Sequence, residues 1–411
     1  MTETDRRTFM MQAGTLAAVA LVPGLALGAD VELNGEISVG IIGMGRQGRA
    51  IAGELQKIKG VKVAAICDVD PGRLRSGARR VAGVATFETH TQLLDTAKDV
   101  TTVFIATPTH THRAVMEDAV AAGKHVYCEA PLASTIEDCQ AIAATARGAS
   151  TICAAGLLAR SNPVYKLART FFRSDSVRDL VAMRAQSNEK TTWWNPSSDP
   201  AREKALNWRL DSVLSTGLAG EMGTHQFDVF HFYRGKYPVS IQGHGSIQLH
   251  NDGRKVHDTI SATLAFEDKS VLQYAATLGN SYEGTHEVFY GSNAAIKLAW
   301  THGWMFKEAD APTQGWEVYA NRQQFHNEEG ITLIADATQL ASQGKLESGV
   351  GLPNPPLYYG VGDFLKSVTE ATPVATTIQE GARATAIGIL ANQAIITGET
   401  IAVDPNLLGD A

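Results

Sequence analysis

Residues 36–48, EISVGIIGMGRQG, constrain this chain more than any other stretch: an apolar, β-branched run feeds directly into Gly43-Met44-Gly45-Arg46-Gln47-Gly48, and a helical pattern follows. In a G-x-G-x-x-G turn between strand and helix, the first glycine permits the tight turn. The second lets backbone approach a pyrophosphate, and the third lets the helix pack closely on the strand. The helix N-terminus then offers free N–H groups to the phosphates. VKVAAIC follows as a second strand and ends at Asp68, where a carboxylate can hydrogen-bond a ribose diol. Strand, glycines, helix, strand and acid in this order predict a bound dinucleotide. Asp68 argues for NAD; Arg46 and Arg73 lie close enough in sequence to leave NADP open, because a guanidinium can meet a 2′-phosphate.

The α/β rhythm continues. Asp70-Pro71 reads as the N-cap and first residue of a helix with Leu74, Ala78 and Val81 on one face. VTTVFIAT (100–107) is a buried strand ending at Thr107-Pro108, and Val115, Met116, Ala119 and Val120 mark the helix after it. KHVYC, a helix through Ile136, Cys139, Ile142 and Ala143, and TICAAG carry the alternation to about residue 156, which predicts a doubly wound parallel sheet. Beyond it, VAMRAQS, VSIQGHGSIQLH, TISATLAFED and SVLQYAATL alternate apolar and polar residues and predict antiparallel strands with one buried face. The other face is available for subunit packing, so a homo-oligomer is expected. Helical periodicity returns over Asp363–Ala371 and Ile378–Ile396. The fold class expected is α/β: a Rossmann domain over 30–156, then an α+β domain over 157–411 with an open, mainly antiparallel sheet and terminal helices packing back.

At 411 residues the chain exceeds the size at which single cores stop growing, which fits two domains. Its net charge of −7 gives no basic excess that would point to nucleic acid. Cys67, Cys128, Cys139 and Cys153 lack metal-type spacing and read as free core thiols, so no metal site is expected.

Asp5-Arg6-Arg7-Thr8-Phe9-Met10 precedes a weakly hydrophobic stretch from Ala13 to Ala29. Residues 1–29 resemble a twin-arginine export signal, with small residues at Ala26, Gly28 and Ala29 where cleavage would fall. The expected partner is the twin-arginine export machinery and the expected location is the periplasm or another exported one. That route moves folded proteins, and soluble NAD is scarce outside the cell. A cofactor that stays bound and is regenerated within the catalytic cycle follows as an expectation.

Four segments in order, GMGRQG, ATPTHTH (Ala106–His112), GKHVYCEAP (Gly123–Pro131) and GEMGTHQFD (Gly220–Asp228), resemble the Gfo/Idh/MocA oxidoreductase family, and FYGSNAAI (Phe289–Ile296) is similar to its late strand-turn-strand. The resemblance implies Thr107, Pro108 and His112 beside the nicotinamide half of the cofactor, and Glu129 near the nicotinamide ribose. It also implies a Glu-Lys-Pro motif whose Lys assists proton transfer; Ala130 stands in that Lys position and offers no proton, charge or hydrogen bond. His225 matches the family's catalytic histidine, and Glu221 occupies the place where an Asp is usual. Four-residue spacing on one helix face would bring the pair together, so that the carboxylate fixes the tautomer or raises the pKa of the imidazole. On pattern alone, without the resemblance, His225 reads rather as the core histidine of a capped helix.

Gln186–Arg209 is polar and aromatic, with Glu189, Lys190, Trp193, Trp194, Trp208 and Arg209. Indole faces cover the C–H side of a sugar while Lys and Arg donate to its hydroxyls, which makes Lys190, Trp194 and Arg209 candidate substrate contacts. A loop docked at a subunit interface is the other reading. Together these features describe an exported NAD(P)-dependent oxidoreductase acting on a carbohydrate. Two alternatives stay open: redox-neutral glycoside cleavage by transient oxidation, and a non-catalytic nucleotide- and sugar-binding protein.

Overall fold

The computed structural model describes residues 30–315, 317, 320–325, 328–334 and 351–408, so the twin-arginine stretch lies outside the described residues. Six parallel strands come first: β1 (Ile37–Ile42), β2 (Val61–Cys67), β3 (Ala85–Phe87), β4 (Thr102–Ile105), β5 (His125–Glu129) and β6 (Cys153–Gly156). They are ordered β3-β2-β1-β4-β5-β6. Between them run α1 (Arg46–Leu55), α2 (Pro71–Arg80), α3 (His90–Thr96), α4 (His112–Ala121) and α5 (Ile136–Gly148). The helices form where sequence and packing agree. α1 buries Gly48, Ile51, Ala52 and Leu55 on one stripe, and α2, α3 and α5 start at side-chain caps from Asp70, Thr89 and Thr135. The strand order reverses between β1 and β4, which opens a crevice at the carboxyl ends of these strands. The short strand β3 and helix α3 carried too little periodicity to be read beforehand.

The chain continues through α6 (Pro163–Phe172), β7 (Leu180–Asn188), α7 (Pro200–Leu206) and α8 (Thr224–Arg234). Next come β8 (Ser240–Ser246), β9 (Thr259–Ala265), β10 (Val271–Thr277), β11 (Thr285–Gly291), β12 (Ala294–Ala299), β13 (His302–Lys307), β14 (Asn321–Phe325) and β15 (Glu328–Thr332). Last come α9 (Pro356–Glu370), α10 (Ile378–Thr397) and β16 (Ile401–Ala402). By compactness the chain divides into a larger unit, Asp30–Ser161 with Met183–Glu287 and Pro356–Ala411, and a smaller one containing Asn162–Ala182 and Val288–Pro355.

In the larger unit the strand order is β7-β10-β9-β8-β16. These pairs are antiparallel except one: β7 runs parallel to β10, Met183 opposite Leu272 through Asn188 opposite Thr277. Alternation along a strand reports which face is buried and says nothing of a neighbour's direction, so this pair was not readable as parallel. Ile260, Ala262 and Leu264 face inward while Ser261 and Thr263 are exposed. α10 covers the inner face near β8, where a Cβ at Gly243 would come within 2.6 Å of Ile395. The same helix reaches the parallel sheet: Thr377 bridges Ala154, and Thr385 Oγ1 accepts the Leu132 N–H at 3.0 Å. Its approach to the segment before α8 is so close that a Cβ at Gly388 would lie 2.4 Å from Thr224 Oγ1. In the smaller unit β12, β13, β15 and β14 pair antiparallel in that order, with α6 packed on β12 and β13.

Candidate active site

At the end of β1 the chain turns through Gly43 at φ +96°, in the region that favours glycine, and a Cβ there would stand 2.6 Å from Ala106 O. A Cβ at Gly48 would stand only 1.8 Å from Gly43 O. Gly45 differs: the nearest atom to its position is Arg73 Nη1 at 3.7 Å, so space opens beside the backbone. Gly45 is also the N-cap of α1 and makes no side-chain cap bond, which leaves first-turn N–H groups for a phosphate. A glycine cradle with open space at an uncapped helix start fits the pyrophosphate of NAD.

Asp68 follows β2 with 8% of its surface exposed. Its Oδ2 accepts the Met44 N–H at 2.7 Å and its Oδ1 accepts the Asp70 N–H at 2.8 Å, which fixes the carboxylate beside the glycine turn. Burial raises its pKa against those hydrogen bonds. Each oxygen keeps lone-pair capacity for a ribose hydroxyl. Met44 contributes its backbone; its side chain is fully buried at Gly77 of α2. The Arg46 side chain is exposed and pairs with Glu189 at 3.7 Å.

At the other end of the crevice, Thr107 and Pro108 follow β4, and Thr111 Oγ1 tightens their turn, 2.9 Å from Thr107 Oγ1 and 2.7 Å from Pro108 O. His112 packs beneath the same turn. Its ring is 2% exposed and one nitrogen, Nε2, lies 2.9 Å from Thr107 O, so it braces the turn from inside. Burial lowers its pKa. Glu129 ends β5 and accepts Gln47 Nε2 at 3.0 Å, and burial pushes its carboxyl up to about 7.

His225 and Glu221 are placed by the segment leading into α8. Ala219–Gly223 forms a wide π turn before α8 begins at Thr224. No direct hydrogen bond joins Glu221 to His225 among the described residues, because the carboxylate oxygens are taken by other partners. Glu221 Oε1 accepts from Thr109 Oγ1 at 3.2 Å and Thr216 Oγ1 at 3.0 Å, while Oε2 accepts from Arg209 Nε at 2.9 Å. With these partners the carboxylate is 1% exposed. Its charge still raises the His225 pKa, as does the Ala130 backbone, but burial outweighs both and takes the imidazole down to about 4. The His225 Nδ1 is sealed from solvent and hydrogen-bonds nothing among the described residues.

Arg209 lies over Trp193 and Trp208, with its guanidinium carbon 5.5 and 5.1 Å from the ring centroids. Its Nε donates to Glu221, so this candidate substrate contact is also anchored to the carboxylate. Lys190 and Trp194 are exposed, and backbone bonds of this stretch run from Lys190 N to Ser281 Oγ and from Thr191 N to Leu278 O, not to Glu221. Three residues were missed. Thr109 and His110, whose ring is 5.7 Å from Trp208, sat inside a segment already singled out; Thr216 belongs to no motif. The described cysteines are free, and no group of three or more His, Cys, Asp or Glu among the described residues could hold a metal. No helix among the described residues is long and apolar enough to cross a membrane.

A family model described as "Oxidoreductase family, NAD-binding Rossmann fold" matches residues 37–157, and a second, "GFO/IDH/MocA C-terminal domain", matches 169–297. Inositol 2-dehydrogenase 1 of Saccharopolyspora erythraea is 35% identical over 352 residues, which cover 79% of this chain and 99% of that protein. Levoglucosan dehydrogenase of Pseudarthrobacter phenanthrenivorans is 27% identical over 173 residues, 42% of each. Among solved structures, a levoglucosan dehydrogenase in complex with NADH and levoglucosan has a TM-score of 0.71 at 19% identity, covering 90% of this chain and 99% of that one. An aldose-aldose oxidoreductase from Caulobacter crescentus complexed with glycerol has a TM-score of 0.69 at 18% identity, covering 90% and 100%. These two share the fold.

Proposed function

This chain belongs to the Gfo/Idh/MocA family and is an NAD-dependent oxidoreductase of that type, and from that premise we propose that it oxidises a secondary alcohol of a sugar, sugar acid or cyclic polyol with His225 as the proton acceptor. The observation that carries the proposal is the placement of His225: burial holds its imidazole at about 4, so it is uncharged at neutral pH and able to accept a proton, and its Nδ1 hydrogen-bonds nothing among the described residues. Bound NAD supplies the hydride acceptor at its nicotinamide carbon. Glu221, tied by Thr109, Thr216 and Arg209, places a fixed negative charge near His225, which favours the imidazolium formed on proton uptake. Carbohydrate as the substrate class is supported by what the relatives are named for, inositol and levoglucosan, and by the indoles of Trp193 and Trp208 around Arg209. Assays of NADH formation across inositols, aldoses, sugar acids and anhydrosugars test this reading. Turnover that is lost in His225→Ala with NAD still bound supports it; sugar binding without turnover in the parent sinks it.

One observation favours a second reading. Ala130, close enough for its backbone to act on His225, leaves out the usual cation, as a redox-neutral glycosidase could use. With NAD bound, oxidation of a hydroxyl to a ketone would acidify the neighbouring C–H and permit elimination of the aglycone alcohol; addition of water to the resulting enone and return of the hydride would complete a hydrolysis with no net redox change. Ala130→Lys separates the two: added ammonium should raise alcohol oxidation in a dehydrogenase and reduce aryl-glycoside cleavage in a glycosidase. The proposal also places the enzyme outside the cytoplasm by the twin-arginine route, with NAD retained through the cycle. It works as a homo-oligomer through the polar sheet face where Gln242, His244, Ser261, Thr263 and Gln273 line an open concavity of about 450 Å³.

A further inference from the structure

The segment between β7 and Glu221 is tied to the dinucleotide crevice at two points and to Glu221 at its own end. Glu189 meets Arg46 on the glycine turn at 3.7 Å. Arg202 of α7 grips Asp70 in a two-pronged pair, Nε to Oδ2 at 2.5 Å and Nη2 to Oδ1 at 3.2 Å. Arg209 meets Glu221 at 2.9 Å. The middle tie stands beside the ribose end of the crevice, because Asp70 caps α2 and its own N–H donates to Asp68.

Between the ties, residues 195–207 close on themselves. The Asn195 N–H donates to Asn207 Oδ1 at 2.7 Å and Asn207 Nδ2 returns a bond to Asn195 O at 3.0 Å. Inside the loop, the Ser197 N–H donates to Glu203 Oε2 at 2.8 Å, and Asp199 caps α7. A loop cross-braced in this way moves as one body, so it can leave the crevice only when its anchors part. The Arg46–Glu189 contact is long and solvent-exposed at both ends, worth little. The Arg202–Asp70 contact is bidentate and its carboxylate is only 10% exposed.

We propose that Arg202 and Asp70 form a latch that holds residues 195–207 beside the adenosine-ribose half of the crevice and slows the departure of bound dinucleotide. The latch rests on NAD lying along Asp68, and only its purpose rests on the proposed retention. It makes Arg202 a residue that sets cofactor residence time without touching the reacting atoms.

Stopped-flow release of NADH from reloaded protein, followed by fluorescence, tests it with Arg202→Ala, Arg202→Lys and Asp70→Asn, the last keeping a capping side chain. Arg202→Ala and Asp70→Asn should each release NADH about fivefold faster at low salt, the upper range for an exposed pair. Arg202→Lys, which keeps the charge and loses the fork, should fall between. High salt should bring the parent toward the variants, since screening weakens the pair. Thermal unfolding of the apo proteins checks that the substitutions leave the fold intact. Equal release rates for parent and Arg202→Ala at low salt would overturn the latch. The ratio of rates judges the latch and the parent's absolute rate judges retention: a parent that releases quickly, yet still several-fold slower than the variant, sinks retention alone.

Discussion

Burial acts on His225 and Glu129 in opposite electrical directions, since it disfavours the charged form of each. For His225, taken down to about 4, the consequence is a base already deprotonated across the neutral range. His225→Ala should lower kcat about 10²–10⁴-fold, the usual loss for a general base, while titrated NAD affinity and thermal unfolding stay unchanged. For Glu129, raised from 4.5 to about 7, the sign of the stability effect follows from which state ionises first. The unfolded chain loses its proton near 4.5 and the folded one near 7, so the folded state is progressively disfavoured as pH rises through that window. In the apo protein Glu129→Gln should remove a pH-dependent loss on the order of 2–3 kcal/mol between pH 4.5 and about 7, read as the difference in unfolding free energy between parent and variant. Asp68 is a third case, a carboxylate held by two backbone N–H groups and aimed at a ribose. Asp68→Ala should weaken NAD by about 1–3 kcal/mol and NADP by less, because a 2′-phosphate is repelled by the charge that is removed. Equal losses for both nucleotides in titrations of apo protein would take Asp68 out of this role.

Among the elements, the first βαβ unit was the most legible, because the motif glycines Gly43, Gly45 and Gly48 each answer a distinct demand, a tight turn, open space or close packing, that leaves a trace in sequence. Gly48 in α1 would bring a Cβ to 1.8 Å from the Gly43 carbonyl, whereas Gly53 in the same helix has nothing within 4 Å. The two substitutions should therefore diverge in sign. Gly48→Ala should cost about 1–3 kcal/mol in stability and weaken NAD by shifting the helix start, and Gly53→Ala should add up to about 1 kcal/mol, both measured by denaturant unfolding. The segment before α8 was the least legible. Its four-residue spacing was read as one α face, but Ala219–Gly223 form a π turn and the Glu221 carboxylate is held by Thr109, Thr216 and Arg209. A π turn has no side-chain signature, and Thr109 lies 112 residues from the carboxylate it serves, so neither the turn nor the contact could be read from local pattern. The motif that singled out His112 likewise carries no information on which way its ring points, which the structure shows to be toward Thr107 O.

At the scale of the whole molecule, alternating strands and helices up to residue 156 and period-two strands beyond it were enough to give the α/β class, because burial periodicity is written into sequence. Strand direction is not, as the parallel β7–β10 pair shows. The twin-arginine reading of residues 1–29 leads to a prediction about the entire protein. A chain exported already folded can carry dinucleotide out of the cytoplasm, and where free NAD is scarce a dehydrogenase that releases its cofactor each turnover would stop after one. The proposed residence would draw on three features of the crevice: Asp68 is fixed by backbone, the glycine turn presents uncapped N–H groups, and Arg202 pairs with Asp70 from a braced loop. Protein expressed with residues 1–29 intact and recovered from the periplasm should therefore carry about one dinucleotide per chain through gel filtration, identified after denaturation, and should turn over its substrate without added NAD when a second substrate can take the hydride back. Replacing Arg6 and Arg7 with Lys should leave the protein in the cytoplasm with the same cofactor content. Protein that emerges from the periplasm empty, yet works with rapidly exchanging added NAD, would contradict the closed cycle while leaving the assignment of His225 untouched.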